Sequence, residues 1–108
     1  MSYKVSTIDH FNRELKKLAK KYPSLKFDLL AFVEKLIANP FQGDGLDCFK
    51  VRMSISSKGK GKSGGARVIT CIKVVDENII LLSIYDKSEQ SDIDSKTLSK
   101  LLQNNNLI

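Results

Sequence analysis

Apolar and polar residues alternate strictly over Phe49-Lys50-Val51-Arg52-Met53-Ser54-Ile55. A period of two belongs to a strand with one buried face. It predicts Phe49, Val51, Met53 and Ile55 on the inner side and Lys50, Arg52 and Ser54 on the other. A Gly/Lys loop from Ser56 to Gly65 follows, then a second strand from Ala66 to Val75. Asp76-Glu77-Asn78 reads as a turn. Ile79 to Tyr85 is apolar almost without a break, which calls for cover on both faces. Upstream the period lengthens to that of a helix. Phe11, Leu15, Leu18, Ala19 and Tyr22 share one face, Asp9 is the expected N-cap, and lysines crowd the last turn as the helix dipole prefers. Tyr22-Pro23-Ser24 breaks that helix. A second one carries Leu25, Leu29, Phe32, Val33, Leu36 and Ile37 on one face and ends at Asn39-Pro40. So short a turn predicts an antiparallel helix hairpin. Tyr3 to Ser6 suits a short first strand and Phe41 to Asp47 a loop. Asp94-Ser95 can cap a last helix with Leu98, Leu101 and Leu102 inward.

These elements predict an α+β fold in one domain spanning residues 1–108. A small antiparallel sheet, made of the short N-terminal strand and a three-stranded meander, is backed by the N-terminal helix hairpin and followed by a C-terminal helix. A chain of 108 residues supports one such core and not two.

Side-chain alternation then sorts the sheet. Pairing Ile55 with Ala66 sets Ser54 against Arg67, Arg52 against Ile69 and Lys50 against Cys71. A slip of two residues changes these neighbours but keeps the faces. One face collects Phe49, Val51, Met53, Ile55, Ala66, Val68, Thr70, Ile72 and Val74. Pairing Val75 with Ile79 adds Ile80, Leu82 and Ile84 to it. The opposite face collects Lys50, Arg52, Arg67, Tyr85 and Lys87, together with Ile69, Cys71, Ile79 and Leu81. Those apolar groups need cover, either from the C-terminal helix or from a partner.

Charge sharpens this picture. From Phe49 to Val75 the cations are Lys50, Arg52, Lys58, Lys60, Lys62, Arg67 and Lys73, with no Asp or Glu among them. The whole chain carries a formal net charge of +6. Cations at this density favour a polyanionic partner, although a solvated loop would carry them too. No apolar run has membrane-spanning length, and Met1-Ser2-Tyr3-Lys4 does not open a signal peptide. Cys48 and Cys71 do not form a disulfide framework, so a reducing cytoplasmic setting is expected. One histidine, His10, at a helix start leaves little scope for metal binding or a His-based triad, and no cofactor is expected. Gly59 to Gly64 spells G-x-G-x-x-G, but a strand follows it where a dinucleotide site needs a helix. Gly61-Lys62-Ser63 similarly lacks the leading glycine of a phosphate loop.

Phe49-Lys50-Val51-Arg52, then Gly59-Lys60-Gly61-Lys62-Ser63-Gly64-Gly65-Ala66-Arg67-Val68-Ile69, then Leu81 to Glu89 resemble the RelE/ParE toxin superfamily of bacterial type II toxin–antitoxin modules. The nearest resemblance is to its HigB/RelE-like branch, and it extends over roughly the whole chain. It implies a ribosome-dependent endoribonuclease that cuts mRNA in the A site by attack of a ribose 2′-hydroxyl on the adjacent phosphodiester. That chemistry needs a base, charge stabilisation on the phosphoryl oxygens and a proton for the leaving oxygen, and dense cations can supply it without metal. The resemblance places Lys50 as base or electrostatic stabiliser and Arg52 and Arg67 as the phosphate clamp. The family's next Arg falls on Ser88 and its late Tyr on Asp94, so Tyr85 and Lys87 are expected to take over those roles. Lys58, Lys60, Lys62 and Lys73 are expected to meet RNA backbone. A cognate antitoxin is implied, covering Ile69, Ile79 and Leu81 or neutralising the basic face, and operator DNA bound through it. Two other readings stand beside this one: a ParE-like gyrase inhibitor on the same fold, and a non-enzymatic nucleic-acid-binding module.

Overall fold

The computed structural model describes residues 3–40, 48–58, 65–73, 77–90, 92–105 and 107. Its elements are β1 (Lys4–Thr7), α1 (Asp9–Lys21), α2 (Leu25–Ala38), β2 (Cys48–Met53), a 3₁₀ turn (Ser56–Lys58), β3 (Ala66–Lys73), β4 (Asn78–Asp86) and α3 (Ser95–Asn104). Most of the expected boundaries hold to within two residues. Asp9 does not cap α1: the N-cap is Ile8, in extended backbone, and Asp9 is the first helical residue. There its charge still favours the positive end of the helix dipole. Ile37 is exposed rather than inward, because it lies off the seam of Leu25, Phe32 and Leu36. Among the described residues no helix is long and apolar enough to cross a membrane.

The sheet has the order β1-β4-β3-β2. The β2-β3-β4 part is the expected antiparallel meander. The outer pair differs: β1 runs parallel to β4, with Val5 opposite Ile79 and Thr7 opposite Leu81, so the sheet is mixed. The chain leaves β1 through the helix hairpin, crosses to the far edge at β2 and winds back until β4 reaches β1. The hairpin covers one face. Phe11 from α1 and Leu25, Phe32 and Leu36 from α2 pack with Phe49, Val51, Met53, Ile55, Ala66 and Val68. Each such side chain larger than alanine contributes about 1.5–3 kcal/mol on burial, so this face is a main source of the fold's stability.

β4 does not follow the expected facing. Ile69 pairs with Ser83, but the next residue of β3, Thr70, pairs with Leu81. Leu82 is the extra residue of a β-bulge, and a bulge reverses the facing of everything beyond it. Ile79 and Leu81 therefore join the hairpin core, while Ile80 and Leu82 turn to the other face. That second face is closed by α3. Leu98, Leu101 and Leu102 pack with Ile69, Cys71, Ile80 and Leu82. The cover comes from the chain itself, and α3 brings to it a single side chain that is buried outright, Leu101.

Two local devices fix the ends of β2 and β3. Gly65 lies so close to β2 that a Cβ there would sit 2.1 Å from the Met53 carbonyl oxygen. Its own carbonyl accepts the Lys87 amide at 3.2 Å. The 3₁₀ turn after β2 is tied to α2: Asp28 Oδ2 accepts the Ser56 amide at 2.9 Å and Asp28 Oδ1 the Ser56 hydroxyl at 2.6 Å. Ser24 Oγ donates to Asp28 at 2.7 Å and accepts the Ser57 amide at 2.9 Å. Partial burial alone would raise the Asp28 pKa, but the bonds from Ser56 and Ser24 outweigh it and hold the carboxyl below its ordinary value.

Two outcomes are expected. Gly65→Ala forces backbone against backbone and should cost about 1–3 kcal/mol of stability, read as a lower denaturant midpoint. A carboxyl whose folded pKa is depressed stabilises above its unfolded pKa, and that contribution is lost as pH falls through the folded value. Acidification through that range, or Asp28→Ala at neutral pH, should release the 3₁₀ turn. Hydrogen exchange at the Ser56 amide, corrected for the intrinsic rate, should lose about 1.5–3 kcal/mol of protection. Equal protection in wild type and variant would show that Asp28 is not the anchor.

Candidate functional site

The face away from the hairpin is built by register. β2 and β3 pair Met53 with Ala66, Arg52 with Arg67 and Lys50 with Ile69. This is the anticipated pairing slipped by two residues, so the faces are kept. β3 and β4 pair Arg67 with Tyr85. Directly opposite residues share a face, so Arg52, Arg67 and Tyr85 form one row across three strands. Lys50 and Ile69 form the next row; Ser83, opposite Ile69, donates its hydroxyl to Glu14 of α1 at 2.8 Å. The bulge lies beyond Ser83 and does not disturb either.

The members of these rows differ in exposure. Arg67 is 5% exposed, and its Nη1 donates to the Ala66 carbonyl at 3.1 Å. A guanidinium presents its donors as a planar fork. Tyr85 is 4% exposed, and its hydroxyl makes no hydrogen bond of ordinary geometry among the described residues. Burial raises the Tyr85 pKa, the negative charge of Asp92 raises it further, and Arg67 pulls the other way. The phenol is thus kept protonated, as a donor. Lys50 is half-buried and its Nζ lies 3.1 Å from Asp92 Oδ2. The hydrogen bond from Lys50 and the Ile93 amide hold the Asp92 carboxyl below its ordinary pKa. A cleft of about 260 Å³ opens here, between Lys50 and Ile69 on the sheet and Asp92, Ile93 and Leu98 at the start of α3. Arg52, on the edge strand, is exposed and borders a second cleft of about 220 Å³ beside Asp28 and Lys35 of α2.

Lys50, Arg52, Arg67 and Tyr85 are therefore brought to one face. Lys87 is exposed in the turn after β4, one residue past the last ladder pair, Ala66 with Asp86. Lys60 and Lys62 lie outside the described residues, as does Val74. Of Lys58 and Lys73 the backbone alone is described, in the 3₁₀ turn and at the end of β3. The expected antitoxin-contacting trio is buried in the free chain. Ile79 and Leu81 are 0% and 1% exposed inside the hairpin core, placed there by the bulge, and Ile69 is 3% exposed beneath α3. Cys48 and Cys71 stand opposite each other on β2 and β3. His10 pairs with Glu14 on α1 at 3.2 Å, away from this face.

Sequence reasoning passed over two acids. Asp92 is one. Asp86 is the other: it is 2% exposed and accepts from the Tyr22 hydroxyl, and at 3.0 Å and 2.7 Å from the amide and hydroxyl of Ser88. Its carbonyl accepts the amides of Glu89 and Gln90, each at 3.0 Å. Lys21 adds ion pairs to Asp86 and Glu89. Asp86 thereby clamps the turn after Tyr85 to the end of α1. The only hint in the sequence was an Asp directly after an apolar strand, a position common to many turns.

Tyr85→Phe removes a buried hydroxyl that has no well-formed partner. It should leave stability unchanged or raise it by up to about 1 kcal/mol, measured by thermal or denaturant unfolding. A marked loss of stability would mean that the hydroxyl is satisfied in solution.

No family model matches the sequence. Solved structures do. An E. coli RelE toxin mutant in the free state is 16% identical, with 96% of this chain and 98% of that one covered and a TM-score of 0.60. The RelBE2 toxin–antitoxin complex of Mycobacterium tuberculosis matches at 19% identity, with 80% of this chain and 99% of that one covered and a TM-score of 0.56. The intact E. coli RelBE toxin–antitoxin complex matches at 15% identity, with 78% and 95% covered and a TM-score of 0.57. With its three helices and four-stranded mixed sheet, the chain has the α+β fold of the RelE toxins.

Proposed function

We propose that this protein is the toxin of a toxin–antitoxin pair and that it inhibits translation as a ribosome-dependent mRNA endoribonuclease. The observation that carries this reading is the row Arg52–Arg67–Tyr85 with Lys50 beside it, on one face of a RelE-type sheet. The arrangement suits a phosphodiester. Arg67, held by its own strand, and Arg52 opposite it would grip the phosphoryl oxygens, and Lys50 would stabilise the charge that develops on them or take the 2′-hydroxyl proton. The protonated Tyr85 would donate to an oxygen of the same group. Lys87 and the lysines of the β2–β3 loop would follow the flanking backbone, where each added phosphate contact increases the salt sensitivity of binding. The partner would be a cognate antitoxin, as in the RelBE complexes that share the fold. Ile79 and Leu81, expected to meet it, belong to the core of the free chain. Operator DNA would be reached through that antitoxin.

The test is primer extension on mRNA from cells expressing the chain. Discrete cuts within translated codons are expected. Arg67→Ala should reduce cutting by about a hundredfold or more and relieve growth arrest, with the circular dichroism of the folded protein retained. Intact transcripts in arrested cells would overturn the nuclease reading, and loss of DNA supercoiling activity on adding the protein would point to a gyrase inhibitor instead.

A further inference from the structure

Among the described residues one carboxylate stands on this otherwise cationic face. Asp92 lies just before α3, with Oδ2 3.1 Å from Lys50 Nζ and Oδ1 accepting the Ile93 amide at 2.8 Å. Its main-chain carbonyl accepts Gln90 Nε2 at 2.8 Å. The same charge acts on Tyr85. Lys50, one of the groups read above as phosphate ligands, is thus already paired with an anion that the chain supplies, and that anion leaves the Tyr85 hydroxyl without a well-aligned acceptor.

We propose that the Asp92 carboxylate occupies the phosphate position of this site in the free protein, as an internal competitor that a nucleic acid must displace. The proposal rests on reading the face as a phosphate-binding one. Three observations carry it. A carboxylate offers the charge and acceptor oxygens of a phosphodiester, and it is paired with the lysine best placed to receive one. The Tyr85 hydroxyl is a buried donor without a well-aligned acceptor, and buried polar groups left in that state call for a missing partner. A phosphate bridging Lys50 and Arg67 would supply it. Finally, the pair is displaceable: the side chains of Lys50 and Asp92 are 36% and 58% exposed, and ion pairs so exposed are weak. A merely structural Asp92, fixing the Ile93 turn, would need no lysine.

The test is the affinity of the intact protein for a short fluorescent single-stranded RNA with 2′-O-methyl riboses, which cannot be cut by 2′-hydroxyl attack. Asp92→Asn keeps an acceptor for the Ile93 amide and should bind about two- to fivefold tighter than wild type. Asp94→Asn makes the same change of charge two residues away and should gain less. In a Lys50→Gln background the Asp92→Asn gain should vanish, because the two side chains act as one unit. The proposal is overturned by no gain, by a gain equal to that of Asp94→Asn, or by a gain that survives the loss of Lys50. Tighter binding by Asp92→Asn without any mRNA cleavage in cells would sink the nuclease reading and leave this one. Cleavage without tighter binding would do the reverse.

Discussion

Arg52 and Arg67 face each other across one ladder of backbone hydrogen bonds. Like charges so placed repel, and neither β2 nor β3 carries an acid to relieve them. The register is held from the other side of the sheet. Val51, Met53, Ala66 and Val68 are buried there under the hairpin, and a one-residue slip of either strand would drive its arginine into that core. Gly65, in close approach to Met53, allows the two strands to meet at this pairing and no wider. Apolar packing on one face thus imposes crowded charge on the other. On the proposed reading that crowding is the source of the site's affinity for anions, a by-product of the core's own geometry.

Much of this was legible in the sequence because β2 alternates. Its period of two fixes which way Lys50 and Arg52 point whatever the exact pairing, and the slip of two residues against the anticipated register left the faces intact. The helix hairpin was equally plain from its spacing and from Pro23. The facing of β4 was not. A strand apolar at nearly every position is compatible with either phase, so a bulge inside it leaves no trace in the pattern. That is why simple alternation points Ile79 and Leu81 outward while they belong to the core. The parallel pairing of β1 was hidden for another reason: a four-residue edge strand says nothing about which neighbour it will meet.

The two acids were missed because they act through position rather than type. Asp86 looks like an ordinary turn residue until the Tyr22 hydroxyl is seen to reach it from 64 positions away. Asp92 sits in a polar stretch where an acid is unremarkable, and its meaning comes only from Lys50, far away in the chain. Both join the run after β4 to something distant, one to α1 and one to β2. The segment between β4 and α3 is consequently a joint between layers.

The extra residue in β4 has a further consequence. Leu82 separates a stretch whose facing serves the packing of β1, the hairpin and α3 from a stretch, Ile84 and Tyr85, whose facing serves the basic rows. The two halves of the strand are out of phase, so apolar residues before the irregularity can be exchanged among themselves without rotating Tyr85 relative to Arg67. One strand carries two independent coding frames for side-chain direction. Sequence drift in the first, at sites such as Ile79 and Ile80, can proceed while the geometry of the second stays fixed.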